Sequence, residues 1–386
     1  MVSLNTHLDC ARCSKTYGAS ELHNRCDCGG TLLARYDLSS GVDLAKVRER
    51  PGGMWRYREL LPIQGEPVSL GEMQTPLLHL PRISERFGVE VHLKDDGMLP
   101  SATFKARGAA VGLTRAAELG VKSLVMPSAG NAGGAWSLYA ARAGIPITVT
   151  MAATAPRSNQ VEVELAGATL ELVEGTIADA GRKAKQIAEE TGAYLVSTFN
   201  EPFRVEGKKT AWLEVFDALG RDGSMRLPGT IITSVGGGVA AVSALKAAQE
   251  VTELGWAGLD VPAIVGVQAA DCAPVVRAFE SGADSAEPWE QISTTIAAGL
   301  RVPAPSEGDL VLRTVRDTGG AMIAVTDDEI RTAIADLAAS EGVAVCPEGA
   351  TTLVALQRLA ESGTTPRGPV VLYNTGAAAK YLTALG

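Results

Sequence analysis

From residue 90 to the C-terminus, short apolar runs alternate with stretches of helical apolar spacing, and this alternation restricts the fold more than any other feature of the chain. Predicted strands cover 90–94, 123–127, 146–151, 169–173, 194–197, 230–235, 263–269, 321–325 and 370–374. Predicted helices cover 106–119, 132–143, 157–166, 176–191, 206–219, 239–254, 274–281, 326–340 and 349–360. The pattern predicts an α/β fold with two doubly wound parallel sheets, whose ligand sites lie beyond the carboxyl ends of the strands, in the cleft between the sheets.

The length of the chain predicts more than one domain, since 386 residues exceed the size of a typical single core. We predict a small cysteine-rich unit at 1–37, a large ligand-binding domain made of 38–110 and 205–386, and a small mobile α/β domain at 111–204. Residues 38 to about 90 are polar, rich in proline and glycine, and weakly periodic, which predicts a connector that wraps the surface.

The charge pattern argues against nucleic acid or an anionic membrane as a partner. The formal net charge is -9, the pI is near 5.2, and lysine and arginine do not cluster. The first residues lack a basic segment followed by an apolar core, and no apolar run reaches membrane-spanning length. We therefore expect a cytoplasmic protein.

Four of the six cysteines lie close together near the N-terminus, at Cys10, Cys13, Cys26 and Cys28. Each short spacing lets one tight turn present two sulfur atoms to one ion, which is typical of a tetrahedral zinc site. Four sulfur ligands leave no open position on the metal, so this zinc-ribbon-like unit would be structural. The alternative is a set of reduced, metal-free thiols.

Lys105 stands where a lysine is physically unusual. Pro100 and Ser101 form a turn and N-cap signal, and helical spacing follows, so Lys105 is predicted in the first turn of a helix. The partial positive charge of a helix start disfavours the ammonium and favours the neutral amine, which attacks carbonyl groups and forms imines. Taken alone, the residue also fits an ordinary surface lysine.

A glycine-rich loop at 127–134 follows one predicted strand and begins the next helix. Free peptide N–H groups at the helix start can hold a carboxylate, and Ser128 and Asn131 can hydrogen-bond an oxygen-rich ligand. A plain glycine-rich turn, with Asn131 as the helix cap, fits the pattern equally well.

A second glycine-rich loop contains Gly236, Gly237 and Gly238 and begins a helix at Val239. Without side chains, successive N–H groups can approach an anion closely, so the loop is suited to a phosphate. It matches neither a Walker motif nor the dinucleotide-binding fingerprint, which argues against ATP and NAD. The last predicted strand ends at Asn374, which places the hydroxyl of Thr375 at the same edge of the sheet.

An imine-forming lysine, a phosphate loop, an asparagine loop and a hydroxyl together favour pyridoxal 5'-phosphate over other cofactors. In this interpretation Lys105 binds the aldehyde and Gly236 to Val239 bind the phosphate. Asn131 hydrogen-bonds the ring hydroxyl oxygen, and Thr375 meets the pyridine nitrogen. The large domain is then the cofactor-binding domain.

The lysine motif at 101–108, the loop at 128–133 and the glycine triplet resemble those of fold-type II pyridoxal phosphate enzymes, from about residue 70 to the C-terminus. Within that group the chain resembles threonine synthases. The features that narrow it are the N-terminal cysteines, the segment 201–210, and Asn374-Thr-Gly followed by Lys380-Tyr381. Relatives of this kind are usually dimers, so the resemblance implies a homodimer.

The resemblance implies a lyase that converts O-phospho-L-homoserine and water to L-threonine and phosphate, through an external aldimine, γ-elimination and β-addition of water. Lys105 would be both the Schiff-base residue and the proton shuttle. Ser128 and Asn131 would hold the substrate carboxylate and the cofactor, and Arg204 the substrate phosphate. The alternative for Arg204 is a salt bridge with Glu201 or Glu206.

Alanines replace residues that are common in threonine synthases, at Ala102 in the lysine motif and at Ala129 and Ala132 in the asparagine loop. Threonine or serine dehydration, a cysteate synthase-like replacement, and a non-catalytic relative therefore stay open. Cys346 and Glu348 are candidates for the ring face of the cofactor, against a packing cysteine and a helix-start glutamate.

Overall fold

A computed structural model describes residues 3–128 and 130–382. Ala129, one of the alanines that bear on substrate choice, lies outside the described residues. Within these two ranges no helix is long and apolar enough to cross a membrane.

The strands in chain order are β1 (Asn5–Cys10), β2 (Thr16–Gly18), β3 (Leu32–Tyr36), β4 (Leu77–His79), β5 (Val91–Asp95), β6 (Leu124–Pro127), β7 (Ile147–Ala152), β8 (Thr169–Val173), β9 (Tyr194–Leu195), β10 (Thr230–Ser234), β11 (Ala263–Ala269), β12 (Met322–Val325) and β13 (Val370–Asn374). The helices are α1 (Leu44–Arg48), α2 (Pro81–Phe87), α3 (Lys105–Glu118), α4 (Asn131–Ala143), α5 (Arg157–Leu165), α6 (Ile177–Thr191), α7 (Phe203–Ala218), α8 (Val239–Glu253), α9 (Pro274–Glu280), α10 (Gly308–Asp317), α11 (Asp327–Glu341) and α12 (Pro347–Glu361). Short 3-10 turns cover Met54–Leu60, Asp96–Met98, Ala298–Leu300 and Ala378–Tyr381.

The α/β fold class is confirmed, and every predicted strand and helix is present with ends that differ by at most three residues. The prediction missed β1 to β4, α1, α2 and α10. Ser101 does not cap a helix as expected, because α3 begins at Lys105 and the Ser101 hydroxyl donates to the carbonyl oxygen of Thr103 at 3.2 Å.

The chain divides into two compact units. The first unit contains Met1–Ser40, Met54–Glu72 and Lys105–Lys208, and the second contains Gly41–Gly53, Met73–Phe104 and Lys209–Gly386. The cysteine-rich segment is thus part of the first unit. The three-domain division with borders at residues 37, 110 and 204 stays a prediction.

The first unit contains two sheets. The N-terminal segment forms an antiparallel sheet in the order β2-β1-β3, whose buried face includes Leu8, Leu32 and Ala34. A four-stranded parallel sheet has the order β8-β7-β6-β9. Helices α4, α5 and α6 connect its strands, as expected for parallel pairs that need crossover connections, while α3 precedes β6 and α7 follows β9.

Small residues let the helices of the first unit approach closely. A Cβ at Gly112 of α3 would lie 2.5 Å from the ring of Trp136 on α4. A Cβ at Gly207 of α7 would lie 2.0 Å from the carbonyl oxygen of Arg107 on α3. The helix that begins with Lys105 is therefore packed against the side chain of Trp136 on α4 and, at backbone distance, against α7.

The second unit is built on a six-stranded sheet in the order β12-β11-β10-β13-β5-β4. All neighbouring pairs are parallel except β4 with β5, so the predicted parallel sheet has one antiparallel edge strand. The carboxyl ends of β5, β10 and β13, which stand next to one another in the sheet, precede the segments with the predicted lysine, phosphate loop and hydroxyl.

We predict that Gly207→Ala lowers the free energy of unfolding by about 2 kcal/mol or more, because the new methyl group overlaps the backbone of α3. The matched control is Gly181→Ala in α6, where nothing lies within 4 Å of the added carbon. That change should be neutral or stabilising by up to about 1 kcal/mol, since alanine is the better helix former. Urea unfolding of both variants checks the difference, and equal effects would contradict the close packing of α3 and α7.

Candidate active site

Lys105 is the first residue of α3, so it lies in the first helical turn as predicted. The preceding residue, Phe104, donates its N–H to the carbonyl oxygen of Thr375 at 2.9 Å. Thr103 and Gly376 form an isolated antiparallel bridge beside this bond. The chain therefore enters α3 from a segment that is hydrogen-bonded along the end of β13. The binding of a cofactor by Lys105 stays a prediction.

Two carboxylates, one buried (Asp96) and one partly buried (Asp95), connect the ends of β5 and β13. Tyr373 donates its hydroxyl to Asp96 at 2.6 Å, and the hydroxyl of Thr75 donates to the other oxygen of Asp96 at 2.7 Å. Asn374 donates its side-chain N–H to Asp95 at 2.7 Å. Burial raises the pKa of Asp95, while its bonds from Gly97 and Asn374 favour the ionised form. These hydrogen bonds fix the position of Thr375, which follows β13, relative to the segment that follows β5 and leads to Lys105.

Thr375 is buried, and its hydroxyl oxygen lies 3.5 Å from the sulfur of Cys346. Cys346 also accepts a hydrogen bond from the N–H of Gly349 at 3.3 Å and is the N-cap of α12. Burial raises the pKa of the Cys346 thiol well above its ordinary value, so the neutral thiol is the stable form. Cys346 is therefore a buried packing residue, as the alternative interpretation of the sequence predicted.

Glu348 lies in the first turn of α12, where a helix start favours a carboxylate. One of its oxygens accepts the N–H of Gly299 at 2.7 Å. Its other oxygen is buried and has no hydrogen-bond partner among the residues that the structure describes. The helix-start role expected as the alternative is present.

Two of the three glycines after β10, Gly236 and Gly238, lie where a side chain would clash. A Cβ at Gly236 would lie 2.4 Å from the carbonyl oxygen of Gly299, and one at Gly238 would lie 2.1 Å from Val311. Gly238 is the N-cap of α8 and has a left-handed φ of 82°. The first N–H groups of α8 have no partner inside the helix, and the bare loop brings them close to any bound anion. The residues present therefore fit a phosphate group.

Ser128, not Asn131, caps α4. Its hydroxyl oxygen accepts the N–H of Gly133 at 2.9 Å and the N–H of Gly130 at 3.3 Å. Asn131 is the first residue of the helix, and the N-cap position belongs to Gly130. The alternative in which Asn131 is the helix cap is therefore wrong, because Ser128 supplies the acceptor for the free N–H groups.

Arg204 is buried in the first turn of α7 and forms the ion pair with Glu201 that was its alternative role. Its Nε donates to Glu201 at 2.6 Å, and its guanidinium lies over the ring of Trp136 with 4.8 Å between the two centres. The carboxylate of Glu201 also accepts the N–H groups of Phe203 and Arg204. Burial raises the pKa of Glu201, and the charge of Arg204 opposes that rise. One guanidinium nitrogen, Nη2, is buried without a hydrogen-bond partner among the described residues.

Arg204 lies close to the helix that begins with Lys105. A Cβ added to Gly108, three residues and so just under one full turn after Lys105, would lie 3.0 Å from the Cβ of Arg204. Lys105, Asn131 and Arg204 are each found in the first turn of a helix of the first unit. The arrangement offers an amine and a guanidinium on neighbouring helix starts.

The four N-terminal cysteines come together, with one sulfur atom from each within 4.8 Å of every other. The sulfur atoms of Cys10 and Cys28, and those of Cys13 and Cys26, are 3.5 Å apart. A tetrahedral zinc ion with bonds of about 2.3 Å needs sulfur atoms somewhat under 4 Å apart, so the residues fit the ion. The hydroxyl of Tyr17 donates to Cys26 at 3.2 Å and lowers the pKa of that thiol to about 6.

Trp136, Asp96 and Tyr373 were not singled out from the sequence. The signal for Asp96 was its place just after a strand, at the edge of the sheet where ligand sites occur. No sequence signal pairs Trp136 with Arg204, because the two residues are far apart in the chain.

Comparison with known proteins places the chain in a family. Residues 68–376 match the family model described as pyridoxal-phosphate dependent enzyme. The threonine synthase of Methanosarcina acetivorans is 34% identical over 370 residues, which cover 95% of this chain and 90% of that protein. The threonine synthase of Methanocaldococcus jannaschii is 35% identical over 379 residues, which cover 95% and 91%.

Solved structures show the same fold. Maize serine racemase matches with a TM-score of 0.70 at 23% identity and covers 88% of this chain and 94% of its own. A fungal L-serine ammonia-lyase from Rhizomucor miehei matches with a TM-score of 0.70 at 21% identity and covers 83% and 98%. With the fold, the family model and the relatives in agreement, the chain belongs to the fold-type II pyridoxal phosphate-dependent enzymes and, within them, to the threonine synthase family.

Proposed function

We propose that this enzyme converts O-phospho-L-homoserine and water to L-threonine and phosphate. The observation that supports the proposal is the close approach of Arg204 to Gly108, where an added Cβ would lie 3.0 Å from the Cβ of Arg204, beside the first turn of the helix that begins with Lys105. A substrate that loses a phosphate needs a cation near the amine that moves its protons. The threonine synthase relatives support the same reaction.

Pyridoxal phosphate would be bound by residues from four loops. Lys105 would bind the aldehyde, and Asn131 would hydrogen-bond the ring hydroxyl oxygen. The N–H groups of Gly236, Gly237, Gly238 and Val239 would bind the phosphate. Thr375 would offer a neutral hydroxyl to the pyridine nitrogen, which then would not require a proton. The bound cofactor supplies an electron sink that makes protons on the substrate easier to remove.

The protein side chains supply binding and proton transfer. Lys105 removes the protons at Cα and then Cβ of the substrate, and the start of α3 favours its neutral form. Ser128 and Asn131 hold the substrate carboxylate at the start of α4. Arg204 binds the departing phosphate through the edge of its guanidinium that does not contact Glu201.

A second candidate is elimination from an amino acid without a phosphate, such as threonine or serine. The observation that favours it is the ion pair of Arg204 with Glu201, since the carboxylate offsets the positive charge that a phosphate would need. The alanines at 102, 129 and 132 offer no hydroxyl groups to a phosphate. A cysteate synthase-like replacement is a variant of this candidate. The homodimer and the cytoplasmic location stay predictions.

We predict that the purified enzyme, with pyridoxal phosphate added, releases phosphate and threonine in equal amounts from O-phosphohomoserine. Lys105→Ala should lower that rate by about a thousandfold or more, because it removes the proton-transfer group. Phosphate and amino-acid assays measure both products, and a parallel incubation with threonine is assayed for 2-oxobutanoate. Formation of 2-oxobutanoate without phosphate release from O-phosphohomoserine would reject the leading reaction in favour of the second.

We also propose that Cys10, Cys13, Cys26 and Cys28 bind one structural zinc ion. The site is closely packed: a Cβ at Gly30 would lie 2.8 Å from the sulfur of Cys10. The N–H groups of Arg12 and Cys13 point at the same sulfur, at 3.4 and 3.5 Å. Such N–H bonds stabilise a thiolate, which is the form that binds zinc.

We predict about one zinc ion per chain in protein purified without chelator, measured by elemental analysis. Cys26→Ser should reduce this to near zero and lower the melting temperature, because the loop loses a ligand. The matched control is Cys272→Ser, which changes a buried cysteine outside the cluster and should leave the zinc content unchanged. Wild-type protein that is free of metal, and as stable as after zinc addition, would contradict the site.

A further inference from the structure

We propose that Asn24 and Thr31, beside the cysteine cluster, are positioning residues of the substrate site. They hold the turn at 195–200, which leads directly into Glu201 and Arg204. The inference deepens the proposed function, because it rests on the role of Arg204 toward the substrate phosphate. All the residues concerned belong to the first unit.

Asn24 joins both ends of the turn. Its side-chain nitrogen donates to the carbonyl oxygen of Leu195 at 2.7 Å and to that of Asn200 at 2.8 Å. The side chain of Asn200 adds a bond to Leu195, at 3.2 Å, and accepts from Arg25 at 3.2 Å. The side-chain amide of Asn24 thus fixes the distance between the two ends of the turn, Leu195 and Asn200.

Thr31 holds the middle of the turn. Its hydroxyl donates to the carbonyl oxygen of Phe199 at 2.9 Å, and both residues are buried. Phe199 has a φ of 61°, in the left-handed region that a residue with a bulky side chain avoids. Such a conformation persists only where its surroundings determine it. The bond from Thr31 and the burial of the ring are the constraints that the structure shows.

The turn determines where the guanidinium points. Two residues after Phe199, the carboxylate of Glu201 accepts the N–H of Phe203 at 2.9 Å and the Nε of Arg204 at 2.6 Å. A shift of the turn would therefore move the carboxylate and the guanidinium together. Tyr36, at the end of β3, adds a hydrogen bond of 2.7 Å to Glu206 in the next part of α7.

The two positioning residues flank the loop that carries the second cysteine pair. Asn24 precedes Cys26 by two residues, and Thr31 follows Cys28 by three. The loop is tied to itself, since Cys26 donates its N–H to Gly30 at 3.0 Å, and Arg25 forms an isolated bridge with Thr31. A reason for the cysteine unit in this enzyme is thus to keep Asn24 and Thr31 in place against the turn.

The test compares Thr31→Val, which removes the hydroxyl but keeps the shape, with Thr31→Ser, which keeps the hydroxyl. With O-phosphohomoserine as substrate, we expect Thr31→Val to raise KM about tenfold and to change kcat less than twofold, because it disturbs a binding group and not the proton shuttle. Thr31→Ser should restore KM to within about twofold of the wild type. Affinity for pyridoxal phosphate and the absorbance of the bound cofactor should not change.

The matched control is Thr6→Val in the same N-terminal sheet, whose hydroxyl is exposed and donates to Arg35. Its KM should equal that of the wild type. Asn24→Ala provides a second, independent variant if Thr31→Val does not fold, with the same expected rise in KM. An unchanged KM in the folded variants, or a proportional loss of cofactor affinity, would overturn the proposal.

Hydrogen–deuterium exchange makes the result independent of the reaction. In Thr31→Val, the amides of Phe203 and Arg204 should exchange at least about tenfold faster, because the cap from Glu201 is loosened, and residues 106–118 should be unaffected. Unchanged exchange at these two amides would reject the inference even with an inactive enzyme. If the wild type releases no phosphate but the amides of Phe203 and Arg204 exchange faster in Thr31→Val, the proposed reaction is rejected, and the role of Thr31 in positioning the turn is supported.

Discussion

The structure depends most on the hydrogen bonds between the carboxyl ends of β5 and β13. Asp95 ends β5 and Asp96 follows it, and they accept hydrogen bonds from Asn374 and Tyr373 at the end of β13. Asp96 is fully buried and Asp95 is partly buried, and burying a carboxylate is costly unless it is hydrogen-bonded, so the two strand ends can adopt few other registers. Further along the chain, the N–H of Phe104 donates to the carbonyl oxygen of Thr375, the residue after β13. Lys105 is the next residue after Phe104 and the first residue of α3.

Charge balance at Arg204 is the second physical constraint, and it bears on which substrate the enzyme accepts. A buried guanidinium with one carboxylate partner has little net charge to offer, yet it keeps one nitrogen without a hydrogen-bond partner among the described residues. The guanidinium of Arg204 lies over the ring of Trp136, which holds it against α4. In the proposed reaction, phosphate binding would depend on how Glu201 and the substrate share the guanidinium of Arg204, and the turn at 195–200 would connect the cysteine unit to substrate choice.

Local signals in the sequence were enough to predict the parallel strands, most helices and the glycine loop at 236–238, because apolar periodicity and glycine runs act over a few residues. The N-terminal strands were missed because β2 has only three residues and the cysteines dominate its surroundings. Helix α10 was missed although it is amphipathic, since it follows a long irregular stretch. The role of Ser128 as the cap of α4, and the partner of Arg204, depend on side-chain geometry that spacing does not determine. The clustering of the four cysteines was predictable from their spacing, and zinc binding stays a prediction, whereas the contacts of Asn24 and Thr31 with the turn at 195–200 are a tertiary feature.

We propose that Lys105, which follows Phe104 in the chain, is the residue that binds the cofactor. The most direct measurement is reduction of the enzyme with borohydride in the presence of pyridoxal phosphate, followed by proteolysis and mass spectrometry. We predict one phosphopyridoxyl group per chain, on the peptide that contains Lys105, and none in Lys105→Ala. Stable modification of a different lysine, or no modification of the native protein, would contradict it.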